Sequence, residues 1–132
     1  MRLLLDTNAY AALRRGHKVV TEQVQRSESL LVSVVVAGEL FFGFRNGSRY
    51  GENAGALREF LEDPNVTVLP IAWTTAEIFG RLSAALRKRG TPIPTNDIWL
   101  AAQAIEADAT LLSSDRHFGK VDGLTWLAFP AS

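Results

Sequence analysis

Carboxylates follow two of the apolar runs of this chain. Asp6 directly follows Leu3-Leu4-Leu5, and Asp115 follows Thr110-Leu111-Leu112-Ser113 by two residues. Asp97 falls in the first turn of a helix predicted over 96–106, and Glu39 lies inside one predicted over 34–44. Brought together, such acids repel one another unless a cation holds them. An oxygen-rich site of this kind suits Mg²⁺ or Mn²⁺, hard ions that keep waters and bind phosphates. A bound ion of that type lowers the pKa of a water and stabilises charge on phosphoryl oxygens, which is the chemistry of phosphodiester hydrolysis.

Each acid also has a purely structural explanation. Asp6 and Asp115 can be helix caps, accepting backbone N–H bonds. Asp97 can answer the positive end of a helix dipole. Glu39 is harder to explain in this way. Its neighbours Val35, Val36, Leu40, Phe41, Phe42 and Phe44 make the helix apolar almost all round. A carboxylate there is partly buried, and a buried carboxylate needs a partner or a metal.

Other chemistry is poorly represented. The absence of cysteine removes disulfides, thiolate zinc sites and cysteine nucleophiles. Gly51, Gly55 and Gly90 have neither Walker nor dinucleotide spacing, and no G-x-S-x-G or H-E-x-x-H motif occurs. His17 and His117 stand beside basic residues and read as solvated loop side chains. Trp73, Trp99, Phe60 and Phe79 read as core. With 14 Lys/Arg against 14 Asp/Glu the net charge is zero, which disfavours an extended phosphate-coating surface. A local basic rim around an acidic, metal-filled pocket remains compatible with that balance. Arg14, Arg15, Lys18, Arg45, Arg49 and Arg116 are candidates for holding a nucleic-acid backbone. The N-terminal apolar run stops at Asp6, too short for a signal peptide, and no segment approaches the roughly 20 apolar residues of a membrane span. A cytoplasmic protein without membrane contact is expected.

These acids need a scaffold that gathers strand ends. Leu3-Leu4-Leu5, Leu30-Leu31-Val32, Val66–Leu69, Thr110–Ser113 and Leu124–Leu127 read as strands, and unbroken apolar runs fit strands buried on both faces. Helices are predicted over 9–15 and 19–26 with a break at Gly16, over 34–44 with Ser33 as N-cap, and over 53–62. A long helix capped by Thr74 or Thr75 runs to Arg89, with Ala76, Phe79, Leu82, Ala85 and Leu86 inward and Gly90 as its stop. The alternation predicts one α/β domain over 1–132, a parallel sheet with helices on both faces. Ligands of such sheets bind beyond the carboxyl ends of the strands, where the strand order reverses.

The pattern resembles the PIN-domain family and, within it, the VapC-type toxins. The resemblance rests on Leu-Leu-Asp-Thr-Asn at 4–8, Ala-Gly-Glu-Leu at 37–40, Pro-Thr-Asn-Asp-Ile-Trp-Leu-Ala-Ala at 94–102 and Leu-Leu-Ser-Ser-Asp-Arg-His-Phe at 111–118. It implies a five-stranded parallel sheet of order 3-2-1-4-5, with Asp6 and Asp115 neighbours across the switch point. It also implies a metal site of Asp6, Glu39, Asp97 and Asp115, supported by Asn8 and Ser113. The implied activity is Mg²⁺- or Mn²⁺-dependent endoribonuclease cleavage, by a homodimer neutralised by a cognate antitoxin. Many family members carry a second Asp two residues after the position of Asp115. This chain has His117 there, so the resemblance implies one protein-held cation, with a second recruited only alongside RNA.

Two rivals accompany this reading: a PIN nuclease of RNA processing with no antitoxin, and a PIN module that binds RNA without cleaving it. A short solitary domain favours the toxin, and the presence of all four acids argues against an inactive module. Phe41, Phe42 and Phe44 give one helix more aromatic surface than a small core covers, so a homodimer is expected.

Overall fold

The computed structural model describes residues 1–131; residue 132, the last of the expected 1–132 domain, lies outside them. Five strands, β1 (Arg2–Leu5), β2 (Ser29–Ser33), β3 (Val66–Leu69), β4 (Thr110–Ser113) and β5 (Trp126–Ala128), form a sheet of order β3-β2-β1-β4-β5. All four pairings are parallel. The α/β class and strand order are as expected.

β1 is central because its three leucines can be buried from both sides. Leu3 and Leu5 pack with Ala9, Ala12 and Val20 on one face, while Leu4 packs with Leu31, Ala104, Leu111 and Phe118 on the other. This two-residue alternation explains why the run has no polar position. The first face is covered by α1 (Thr7–Arg14) and α2 (Lys18–Arg26), separated at Gly16, whose φ of 77° is a left-handed conformation that glycine adopts freely. α6 (Thr95–Glu106) covers the other face, with α5 (Trp73–Lys88) packed on it. α3 (Val34–Arg45) and α4 (Tyr50–Leu61) close the β2 side around Val36, Leu40 and Leu57.

Several local expectations change. Ala76 and Ala85 are exposed, and the inner face of α5 is Thr75, Ile78, Phe79, Leu82 and Leu86. That set keeps the three-to-four-residue spacing, from which Ala76 and Ala85 are rotated away. Thr75 does not cap α5 from outside. Its hydroxyl accepts from the Ala72 N–H at 3.0 Å and donates to Glu106 at 2.7 Å, tying α5 to the end of α6. Trp73 was expected in the core but is 82% exposed, because it begins α5 before the inner face starts. Phe60 and Phe79 are half-buried against the core, Phe60 edge-on to Tyr10, whereas Trp99 lies half-buried outside the core clusters and stacks on Phe79 at 3.9 Å. α3 is not buried all round either: Phe42 is 70% exposed while Phe41 and Phe44 pack on the α3–α4 cluster.

A short 3₁₀ turn, Arg116–Lys120, was not foreseen; it buries Phe118 under the sheet and sets the residues after β4 in place. β5 starts two residues later than predicted, with Trp126 Nε1 donating to the Ser113 carbonyl at 3.0 Å. His17 is no solvated side chain. Its Nδ1 accepts from Val20 N at 3.4 Å as the N-cap of α2, its Nε2 lies 3.0 Å from the Pro130 carbonyl, and its ring meets Phe129 edge-on. No helix among the described residues is long and apolar enough to cross a membrane.

Candidate active site

The strand order reverses at β1, whose neighbours are β2 and β4. Asp6 leaves the end of β1 and Asp115 stands just beyond β4, so the switch point brings them together. The start of α6 adds Asp97, and the second turn of α3 adds Glu39. All four acids line one open cavity of about 520 Å³, together with Thr7, Asn8, Thr95 and Asn96.

The supporting contacts are specific. Asp6 is 4% exposed and does cap α1, accepting from Ala9 N at 2.7 Å through Oδ1. Its Oδ2 takes the Ser113 hydroxyl, which in turn accepts the Asp115 N–H at 3.0 Å. One buried serine thus fixes the two acids across the β1–β4 seam. Thr7 donates to Glu39 Oε1 at 2.7 Å, and Asn96 Nδ2 reaches Glu39 Oε2 at 3.4 Å. Asp115 makes no cap bond to the turn that follows it, and the N-cap of α6 is Pro94 rather than an acid. The capping explanation therefore holds for Asp6 alone, and there it coexists with a place in the cavity.

His117 also departs from expectation. It is largely buried, with Nε2 2.7 Å from Asp97 Oδ2 and Nδ1 3.5 Å from Asp115 Oδ1. The shorter contact is a close imidazole–carboxylate approach inside the cavity wall. Ligand atoms of Asp97, Asp115 and His117 all lie within 4.8 Å of one another, a spacing that could hold a cation. Asp6 and Glu39 stand outside that tight group while facing the same cavity. Thr7, Asn96 and His117 are the residues that sequence reasoning gave no role. The first two sit inside recognised motifs beside an acid, which was the available signal.

The electrostatics follow from this crowding. Burial pushes the Asp6 carboxyl up to about 6, against the bonds from Ser113 and Ala9, and the charges of Asp97 and Asp115 push the same way. Burial raises Asp97 as well; His117 opposes the rise, while Asp115 and Glu39 add to it. The pocket is short of positive charge, and a hard divalent cation fits its oxygen-rich donor set.

Of the candidate cations at the rim, Arg15 and Arg116 border small grooves that share Ser114 and Phe129, and Asn8 links the Arg15 groove to the acidic cavity. Arg14 lines an apolar groove with Tyr10, Leu40 and Phe44. Arg45 lies over the Tyr50 ring, and Arg49 pairs with Glu52 at 2.9 Å. Lys18 is exposed at the start of α2.

The PIN domain model matches residues 3–124, nearly the whole chain. The chain belongs to the PIN domain family. Among its PIN-domain relatives, it is 27% identical over 134 residues to Ribonuclease VapC1 of Haemophilus influenzae, covering 96% of each protein. It is 30% identical over 127 residues to Ribonuclease VapC2 of the same organism, covering 94% of this chain and 95% of the relative. In fold it is similar to VapBC-1 from nontypeable H. influenzae, with a TM-score of 0.86 and 26% identity over 97% of this chain and 98% of that one. It is equally similar to a chain of VapBC2 from Rickettsia felis bound to a promoter DNA fragment, with a TM-score of 0.86, 22% identity and coverage of 98% and 99%.

Proposed function

We propose that residues 1–132 form a single nuclease domain that acts as a metal-dependent endoribonuclease, the toxin of a VapBC-like toxin–antitoxin pair. The observation that carries this reading is the meeting of four carboxylates from distant segments in one cavity at the switch point of a PIN fold. Relatives named as VapC ribonucleases, similar along almost the full chain, support the reaction class.

When bound, Mg²⁺ or Mn²⁺ supplies an activated water and neutralises charge on the phosphoryl oxygens. Asp6, Glu39, Asp97 and Asp115 are the residues that would hold the ion. Ser113 orients Asp6 and the Asp115 backbone, and Thr7 and Asn96 orient Glu39. Asn8 stands at the rim, where it can face the RNA backbone, with Arg15 and Arg116 beyond it.

An antitoxin partner is supported by the VapBC complexes among the similar structures. The apolar groove of Tyr10, Leu40 and Phe44, with Arg14 at its edge, could take part of it. The exposed Phe42 supports a homodimer, in which an apolar helix face is shared between two copies. Light scattering at micromolar concentration is expected to give twice the monomer mass, and a monomer would count against the shared face. The cell compartment proposed is the cytoplasm.

Expression of the chain alone in a bacterium is expected to arrest growth, and Asp115→Asn to relieve the arrest at equal protein level. Harmless wild-type expression at high level would remove the toxin role and leave a processing nuclease.

A further inference from the structure

We infer that His117 is itself a metal ligand, so that this chain holds its cation with a mixed imidazole–carboxylate set that favours Mn²⁺ over Mg²⁺. The inference rests on the metal-dependent reading above and goes beyond its four acids.

The geometry supports it in three ways. First, two donors about 2.0–2.2 Å from one ion and at right angles to each other stand about 3 Å apart. His117 Nε2 lies 2.7 Å from Asp97 Oδ2, and one ligand atom from each of Asp97, Asp115 and His117 falls within 4.8 Å of the others. Second, the Nε2 atom is buried, and the atom it faces is a carboxylate oxygen, Asp97 Oδ2 at 2.7 Å. A buried ring nitrogen and a carboxylate oxygen at this separation can share one cation, which would satisfy both. Third, Nδ1 faces Asp115, which can accept its N–H. A histidine that binds a metal through one nitrogen almost always donates the other to a carboxylate or carbonyl, which fixes its tautomer.

The scaffold makes the position firm. The turn Arg116–Lys120 is anchored by the buried Phe118, whose ring lies 4.8 Å from the His117 ring. An all-carboxylate set suits Mg²⁺ and Mn²⁺ alike, whereas imidazole suits transition ions. Exchanging one oxygen donor for His117 therefore shifts the preference toward Mn²⁺.

Pulsed electron paramagnetic resonance of Mn²⁺ bound to the full chain tests this directly, since an imidazole ligand couples its ¹⁴N nucleus to the ion. The chain has two histidines, and His17 is held at the α2 N-terminus against Val20 and Pro130. A nitrogen coupling is expected in wild type, unchanged in His17→Gln and lost in His117→Gln. In calorimetric titrations His117→Gln is expected to weaken Mn²⁺ by at least about tenfold, because losing even an outer partner of a ligand costs about 10–100-fold. Mg²⁺ affinity should change much less, and His117→Asp should narrow the Mn²⁺/Mg²⁺ ratio. Circular dichroism melts confirm that the variants are folded, with His117→Asn as the substitute if His117→Gln is not. Bound Mn²⁺ without nitrogen coupling, or a coupling that survives in the folded His117 variants, would overturn the inference while leaving the nuclease reading intact. Wild-type protein that binds no Mn²⁺ at all would overturn both.

Discussion

Asp6→Asn is expected to abolish RNA cleavage while making the metal-free protein more stable at neutral pH. The two effects have one cause. Asp6 is 4% exposed, and burial with two neighbouring acids pushes its carboxyl from 3.8 to about 6. A carboxyl raised on folding opposes the folded state once ionised. Its penalty is absent below pH 4, grows between pH 4 and 6, and is complete above. A shift of about 2 pH units corresponds to about 3 kcal/mol at pH 7–8. Asparagine removes the charge but keeps one acceptor oxygen, so the bond from Ala9 becomes a weaker, neutral one and the Ser113 contact must reverse, with Nδ2 donating to the hydroxyl oxygen. A net gain of about 1–2 kcal/mol remains, read as a melting point higher by about 3–8 °C. The gain should vanish at pH 4, where wild-type Asp6 is neutral. Cleavage should fall by about 10³-fold or more, the loss of several kcal/mol of charge stabilisation. Melts at pH 4 and 8 with a cleavage assay check both halves; an active or destabilised Asp6→Asn contradicts the account.

Asp97→Asn separates two roles for an acid at a helix N-terminus. Were Asp97 only an answer to the α6 dipole, its neutralisation would cost about 0.3–1 kcal/mol and spare activity. Its carboxyl is instead raised, first by burial and further by Asp115 and Glu39, with His117 opposing. The charge on balance burdens the metal-free fold above its pKa. Metal-free stability of Asp97→Asn is therefore expected to hold or rise at pH 8, the stabilisation by added Mn²⁺ to shrink, and cleavage to fall by orders of magnitude. The readings differ in sign for stability and in size for activity, so melts with and without Mn²⁺ decide between them. A destabilised, fully active Asp97→Asn would remove this residue from the site.

Much of the scaffold was legible because its signals are local. Leu3-Leu4-Leu5 has no polar alternation, and a parallel strand buried on both faces requires that. Asp6 and Asp115 could be placed because ligands gather where strand order reverses, a rule that needs only strand ends. What escaped depends on side chains meeting across the fold. His117 looks like a loop residue until the 3₁₀ turn carries it between Asp97 and Asp115. Thr7 gains its role only when α3 brings Glu39 within 2.7 Å. Trp73 was misplaced because apolar character says nothing of which turn of a helix begins its inner face. His17 was misread for a similar reason: its partner carbonyl, Pro130, lies at the far end of the chain.

The most direct test is cleavage of a single-stranded RNA by protein stripped of divalent ions. Metal-dependent catalysis predicts no cleavage in EDTA and recovery when Mn²⁺ or Mg²⁺ is returned in excess, with no recovery for Asp6→Asn. Full cleavage by the stripped wild-type protein would contradict it.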